Sequence, residues 1–322
     1  MGPVIRELEA RGAEVRKLDL SQRLLDDSPR SCVRALTDGM EFLAREFERD
    51  KPDVVLLLGD RYETLGAAQV STMFRIKIAH IHGGEVTEGS FDNEFRHAIT
   101  QLAQIHFVSA EAHKVRVLNL GVDADRTYVV GAPGLDNLID LPPQEFQQPY
   151  FLVTYHPATK GEDNGHNAIL KALEAFPNHG VVWCGVNNDP GRDEIRTAFY
   201  ALEHITVADV MTPKRYLSAM KYAACCIGNS SSFLIEAPAL GVPTVNVGDR
   251  QKGRLRGPSV FDAKEEAFSI EAAIAYVLEP PQSIDFTNPY GQPGASKRIA
   301  EILTGIDGLL HLEGETVEVL AS

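Results

Sequence analysis

"DVVLLLGDRYETLGAAQVSTMFRIKIAHIH", residues 53–82, sets two short apolar runs on either side of a stretch of helix length. Residues 53–60 are apolar almost throughout and end in Gly-Asp, which suits a fully buried strand. Residues 62–74 carry apolar and small side chains at helical spacing, and 76–82 returns to a β-rich run ending His-Ile-His. Strand, helix and strand in this order make a βαβ unit, whose strands run parallel and are covered on both faces. Right-handed crossovers then put every strand C-terminus on one edge of the sheet, where ligands of such sheets bind.

The alternation continues outward from this unit. "IHFVSA" (105–110) and "TYVVG" (127–131) read as further strands, spaced by helical patterns. "DLPPQEFQQPY" (140–150), rich in Pro and Gln, reads as an interdomain linker. Strands then restart at 150–156, 180–185, 224–230 and 243–248. The expected fold is α/β: two Rossmann-like, doubly wound domains facing a cleft, spanning residues 1–143 and 144–322. The last helix, around 296–303, is free to pack on either domain, including back on the first domain. "MGPVIRELEARG" and "AEVRKLDL" open the chain with a helical pattern where such a domain starts on an apolar strand. The first domain is therefore expected to lack one or two strands.

At 322 residues the chain is long enough for two cores, and 44% hydrophobic with 24% charged residues is an ordinary globular mixture. A formal charge of −14 argues against binding to nucleic acid or to an acidic membrane surface. An anionic ligand would have to be held by local features. The four cysteines form no C-x-x-C pair, and no segment reaches the roughly 18 apolar residues of a membrane span. A cytoplasmic location with reduced thiols is the expectation.

Two stretches carry the chemistry. In "IGNSSSFLIEAPALGVP" (227–243) a strand ends in Gly-Asn-Ser-Ser-Ser and a helix begins at once. Serine and asparagine are preferred helix caps, and the N–H groups and dipole of a helix start favour an anion. Glu236 lies a turn and a half into that helix, placed to accept from ribose hydroxyls; a solvent-facing glutamate behind an ordinary cap fits the same pattern. "GDRQKGRLRG" (248–257) brings Arg250, Lys252, Arg254 and Arg256 together after the next strand, either as a solvated loop or, for Arg250, facing a phosphate.

"AHIHGGEVTEGSFDNEFRHAI" (79–99) is the second stretch. On a strand His80 and His82 would face one side, and Glu85 could join them as a metal ligand. Alternatively they are strand-end histidines satisfied by the backbone. The third reading is proton transfer, because Asp60, His82, Glu85 and Asp92 all fall at or just beyond strand C-termini. "VTYHPAT" (153–159) puts His156 at the corresponding edge of the second domain, with Pro157 stopping the strand.

With these residues in view the chain resembles the UDP-N-acetylglucosamine 2-epimerase family, in its hydrolysing branch. The matching stretches are "LGDRYETL", "HIHGGEVTEGSFDNEFRHAIT", "VGAPGLDN", "VTYHPAT" and "IGNSSSFLIEAPALGVPTVNVGDRQKGRLRG", in order across 53–257. The resemblance implies two Rossmann-like domains of the GT-B type, commonly a homodimer or homotetramer, and chemistry needing neither metal nor other cofactor. It implies that Asp60, Asp92 and His156 contact the sugar or act in catalysis, with His82 or Glu85 as base. Arg61, Ser230, Ser231, Glu236 and Arg250 would bind UDP. The implied reaction eliminates UDP from UDP-GlcNAc to a glycal and hydrates it to free ManNAc. A 2,4-diacetamido-trideoxy sugar nucleotide is the alternative substrate. A GT-B glycosyltransferase, or a truncated nucleotide-binding relative without activity, would share the donor loop. The family's opening strand with its Gly-Thr/Ser-Arg motif has no counterpart before Asp60, so the chain reads as beginning after the first βαβ unit.

Overall fold

A computed structural model describes residues 29–88, 92–156, 165–185, 192–200, 205–208, 211–305 and 318–321. The helix expected within residues 1–12 and the proline at 157 lie outside them. The chain divides into two compact units, one of residues 1–86, 91–132 and 294–322, the other of 87–90 and 133–293. The division falls between Ala132 and Pro133, so the Pro- and Gln-rich stretch sits inside the second unit and not at the junction.

In the first unit α1 (Pro29–Arg49) precedes β1 (Val54–Leu58), α2 (Tyr62–Met73), β2 (Lys77–Ile81), α3 (Asp92–Leu102), β3 (Ile105–Val108), α4 (Glu111–Asn119) and β4 (Thr127–Val129). A further parallel strand from residues 318–321 pairs with β1, giving a sheet whose far edge is β4. All strand pairs run parallel, and β1 and β2 register Val54 against Lys77 through Leu58 against Ile81. Apolar side chains alternate to the two faces. Val55, Leu57 and Ile78 pack against α1 and α2 residues such as Phe47 and Ala68. Val54, Leu56, Ala79 and Ile81 instead meet Ile299 and Leu303, so the late helix of residues 295–305 covers the second face.

The second unit runs β5 (Tyr150–Thr154), α5 (Gly165–Leu173), β6 (Gly180–Cys184), α6 (Arg192–Tyr200), β7 (Ile205–Ala208), α7 (Pro213–Lys221), β8 (Cys225–Gly228), α8 (Ser232–Ala239), β9 (Thr244–Val247), β10 (Val260–Ala263) and α9 (Ala267–Leu278). Its six strands are ordered β10-β9-β8-β5-β6-β7, all parallel. This is the doubly wound order in which the chain turns back at the first strand. The switch point therefore lies between β5 and β8, and the crevice beyond their C-termini is where such sheets take ligands. The edge strands β7 and β10 were not legible in the sequence. Each is four residues long with only its ends buried, too short and mixed for a period to register.

Gly228 closes β8 at φ +138, and a β-carbon there would collide with the Thr154 carbonyl oxygen of β5. Gly228→Ala would have to push apart the two strands that define the switch point. We expect a loss of about 3 kcal/mol, read as a lower urea midpoint at unchanged slope.

Candidate active site

In the first unit the chain leaves β1 through Gly59 and Asp60 and leaves β2 through His82, both at the same edge. Arg96, one turn inside α3, is only 1% exposed and joins these loops. One guanidinium nitrogen pairs with Asp60. The other donates to the Glu85 carbonyl at 2.8 Å and to Asn93 Oδ1 at 3.2 Å. Sequence reasoning missed Arg96. Its only signal was its place one helical turn after Asp92, which opens α3. Breaking a buried pair strands one charge away from water, so its partners are held firmly.

His80 and His82 do not form a matched pair on one strand face. His80 stays within β2, fully buried, its Nε2 2.9 Å from the Gly59 carbonyl and its Nδ1 3.2 Å from Thr100 Oγ1. Burial pushes its pKa down to about 4, so it is a neutral core residue. His82 has left the strand at φ +67, a left-handed conformation costly for a residue with a β-carbon. That turn swings its ring to Glu85, with Nδ1 2.7 Å from Oε1. Glu85 also accepts from Ser109 Oγ at 3.1 Å. Among the described residues no group of three or more His, Cys, Asp or Glu is arranged to hold a metal ion. Arg61 caps α2 with its backbone and directs its guanidinium to Glu63 and over the Tyr62 ring. Asp92 is half-buried at the start of α3. Burial works to lower the Arg61 pKa, but Glu63 above all, with smaller help from Tyr62 and Asp92, raises it.

In the second unit the residues beyond β5 and β8 are tied together. The side chain of Asn229, 1% exposed, accepts from the His156 N–H at 2.7 Å and donates to the His156 carbonyl at 2.8 Å. Asn229 thus imitates a neighbouring strand and fixes the His156 backbone. Arg250 Nη1 and Gln251 Nε2 both donate to the Asn229 carbonyl, at 3.1 and 2.8 Å. Burial, then the nearby Arg250 charge, pushes the His156 pKa down to about 3. His156 is therefore neutral in the free chain, and Arg250 supplies the positive charge.

Ser231 occupies the N-cap of α8 but makes no side-chain cap bond, contrary to the expected capping role. The serines instead bond to one another: Ser230 Oγ lies 2.9 Å from Ser232 Oγ, which lies 2.8 Å from the Tyr216 hydroxyl. Glu236 is half-buried. Its Oε1 approaches Gly134, where a β-carbon would lie 2.5 Å away, so it turns toward the 133–138 segment. The basic cluster of 248–257 does not act as one patch: Lys252 pairs with Glu88 at 3.6 Å and Arg256 with Asp262, while Arg250 turns to the β8 loop.

Two parallel sheets, the second doubly wound, with polar clusters beyond their strand ends, place the protein in the α/β, GT-B-like class. Residues 4–304 match the family described as UDP-N-acetylglucosamine 2-epimerase, and the chain belongs to that family. It is 37% identical to the polysialic acid biosynthesis protein P7 of Escherichia coli over 71% of this chain and 63% of that one. It thus spans less than two thirds of that relative's length. It is 32% identical to the GDP/UDP-N,N'-diacetylbacillosamine 2-epimerase (hydrolyzing) of Campylobacter jejuni, over 82% of this chain and 73% of that one. The fold superposes on the crystal structure of UDP-GlcNAc 2-epimerase from Neisseria meningitidis bound to UDP-GlcNAc. The TM-score is 0.77 at 20% identity, covering 94% of this chain and 89% of that one.

Removing Arg96 would leave Asp60 without its buried partner. Arg96→Met should lower stability by about 3 kcal/mol in urea denaturation, whereas Lys252→Met, at an exposed pair, should cost under about 1 kcal/mol. His80 and His106 are both held neutral by burial, each with a pKa of about 4. Between pH 6.5 and 4 the unfolded chain binds protons that these two sites refuse. Stability should fall as pH is lowered through that window, with His156 extending the fall to about pH 3, and His80→Gln should flatten the slope.

Proposed function

We propose that the chain is a hydrolysing 2-epimerase for a UDP-linked N-acetylated sugar, converting UDP-GlcNAc to ManNAc and UDP. The observation that carries this reading is the His82–Glu85 pair beside the Arg96-held Asp60. Glu85 has 4% of its side chain exposed and His82 19%. The buried carboxylate accepts from Nδ1–H and leaves Nε2 as the outward-facing base.

The C2–H beside an amide nitrogen is barely acidic. It becomes removable only as the C1–O bond to the diphosphate breaks and positive charge grows at C1. Asp60 and Asp92 stabilise that charge as carboxylates do in glycosidases. His82 takes the C2 proton, the electron pair forms the C1–C2 double bond, and UDP carries off the C1–O electrons. Water then adds at C1 of the glycal while a proton returns to C2 from the opposite face, giving the free 2-epimer.

In the second unit Arg250 supplies charge to the departing diphosphate. Ser230, Ser231 and the neutral His156 supply hydrogen bonds, and Glu236 accepts from the ribose. Arg61 adds a cation in the first unit. A second reading keeps the chemistry and changes the sugar: the Campylobacter relative, an N,N'-diacetylbacillosamine 2-epimerase, favours a 2,4-diacetamido-trideoxy sugar nucleotide.

Proton NMR of the chain with UDP-GlcNAc in D2O should show free ManNAc, UDP and deuterium at C2, with EDTA present or absent. Turnover confined to the 2,4-diacetamido substrate would select the second sugar. No turnover on either would sink the reading. Asp60→Asn and Asp92→Asn should lose about a hundredfold in kcat while retaining UDP affinity. Arg250→Ala and Ser230→Ala should weaken UDP binding in isothermal titration, by about tenfold or more for the arginine.

A further inference from the structure

The hydrogen bonds around Glu85 run beyond His82 in a direction that the proposed chemistry leaves unexplained. Ser109, just past β3, is 2% exposed, and His113, in the first turn of α4, is fully buried. Ser109 Oγ donates to Glu85 Oε1 at 3.1 Å and lies 2.9 Å from His113 Nδ1. A serine has one hydroxyl proton. Once that proton is given to Glu85, the contact with His113 requires Nδ1–H to donate to Ser109 Oγ.

The direction is then fixed along the whole chain. His113 donates to Ser109, Ser109 donates to Glu85, and the same Glu85 oxygen accepts from His82 Nδ1 at 2.7 Å. Two donors converging on one buried oxygen favour the ionised carboxylate. An ionised carboxylate can only accept, so His82 must carry its proton on Nδ1. Were the hydroxyl reversed toward His113, Glu85 would lose a donor and its hold on the His82 tautomer would weaken.

We propose that Ser109 and His113 are positioning residues for His82, wired through Glu85 so that its Nε2 stays unprotonated and outward. The inference rests on the reading of His82 as the base, but its wiring is measurable without turnover. Long-range ¹H–¹⁵N correlation of the free chain, assigned with His82→Gln and His113→Gln, should show both rings neutral with the proton on Nδ1. In Ser109→Ala, His113 should shift toward the Nε2–H form, having lost its acceptor. A His113 protonated on Nε2 in the unaltered chain would overturn the proposal, because Ser109 would then donate to it.

In turnover, Ser109→Ala and His113→Leu should each lower kcat about tenfold with KM and UDP affinity unchanged. His113→Asn, which keeps an N–H near the Nδ1 position, should restore most of the rate. Equal losses in Asn and Leu variants would point to packing alone and count against the wiring. If the unaltered chain turns over neither UDP-sugar, the epimerase reading fails, and the tautomer result still decides the wiring.

Discussion

The first unit's candidate site depends on one buried guanidinium. Arg96 reaches the loop after β1 through Asp60, the loop after β2 through the Glu85 carbonyl, and its own helix through Asn93. A cation taken from water is tolerated only when its donors are matched, so these partners cannot drift independently. The strained turn at His82 is held in the same way: its ring is paid back by Glu85, and Glu85 by Arg96 and Ser109. Backbone strain that persists where surrounding contacts over-determine it is a frequent mark of a functional position.

The second unit solves a related problem with neutral groups. Asn229 satisfies both backbone groups of His156, and its own carbonyl is satisfied by Arg250 and Gln251. His156 just beyond β5 and Asn229 just beyond β8 are thereby tied together at the switch point, with the Arg250 cation beside them and the histidine kept neutral. For a diphosphate, this arrangement concentrates charge recognition in Arg250 and leaves orientation to hydroxyl and imidazole groups. Such an attraction would be local, which a chain of formal charge −14 permits.

The serine loop shows why a motif and its mechanism are separate matters. Gly-Asn-Ser-Ser-Ser before a helix predicts side-chain capping, yet Ser231 makes no cap bond and the hydroxyls line up with Tyr216. The motif therefore predicts where the helix begins, while the partners of its hydroxyls come from the packed chain. Likewise four basic residues in ten positions suggested one patch, and ion pairs with Glu88 and Asp262 occupy two of them.

The sequence by itself determined the α/β class, the parallel sheets and the edge where polar residues gather. Those depend on apolar runs and periods that are local in the chain, as in 53–82. The family was legible too, because its motifs are contiguous stretches. Tertiary structure alone decided which residues act together. Arg96 meets Asp60 across 36 positions and Asn229 meets His156 across 73, separations at which no spacing rule operates. It also separated two histidines one residue apart: His80 is sealed in the core, and a left-handed turn delivers His82 to Glu85. Burial and hydrogen-bond partners set the two apart, and both are properties of the packed chain.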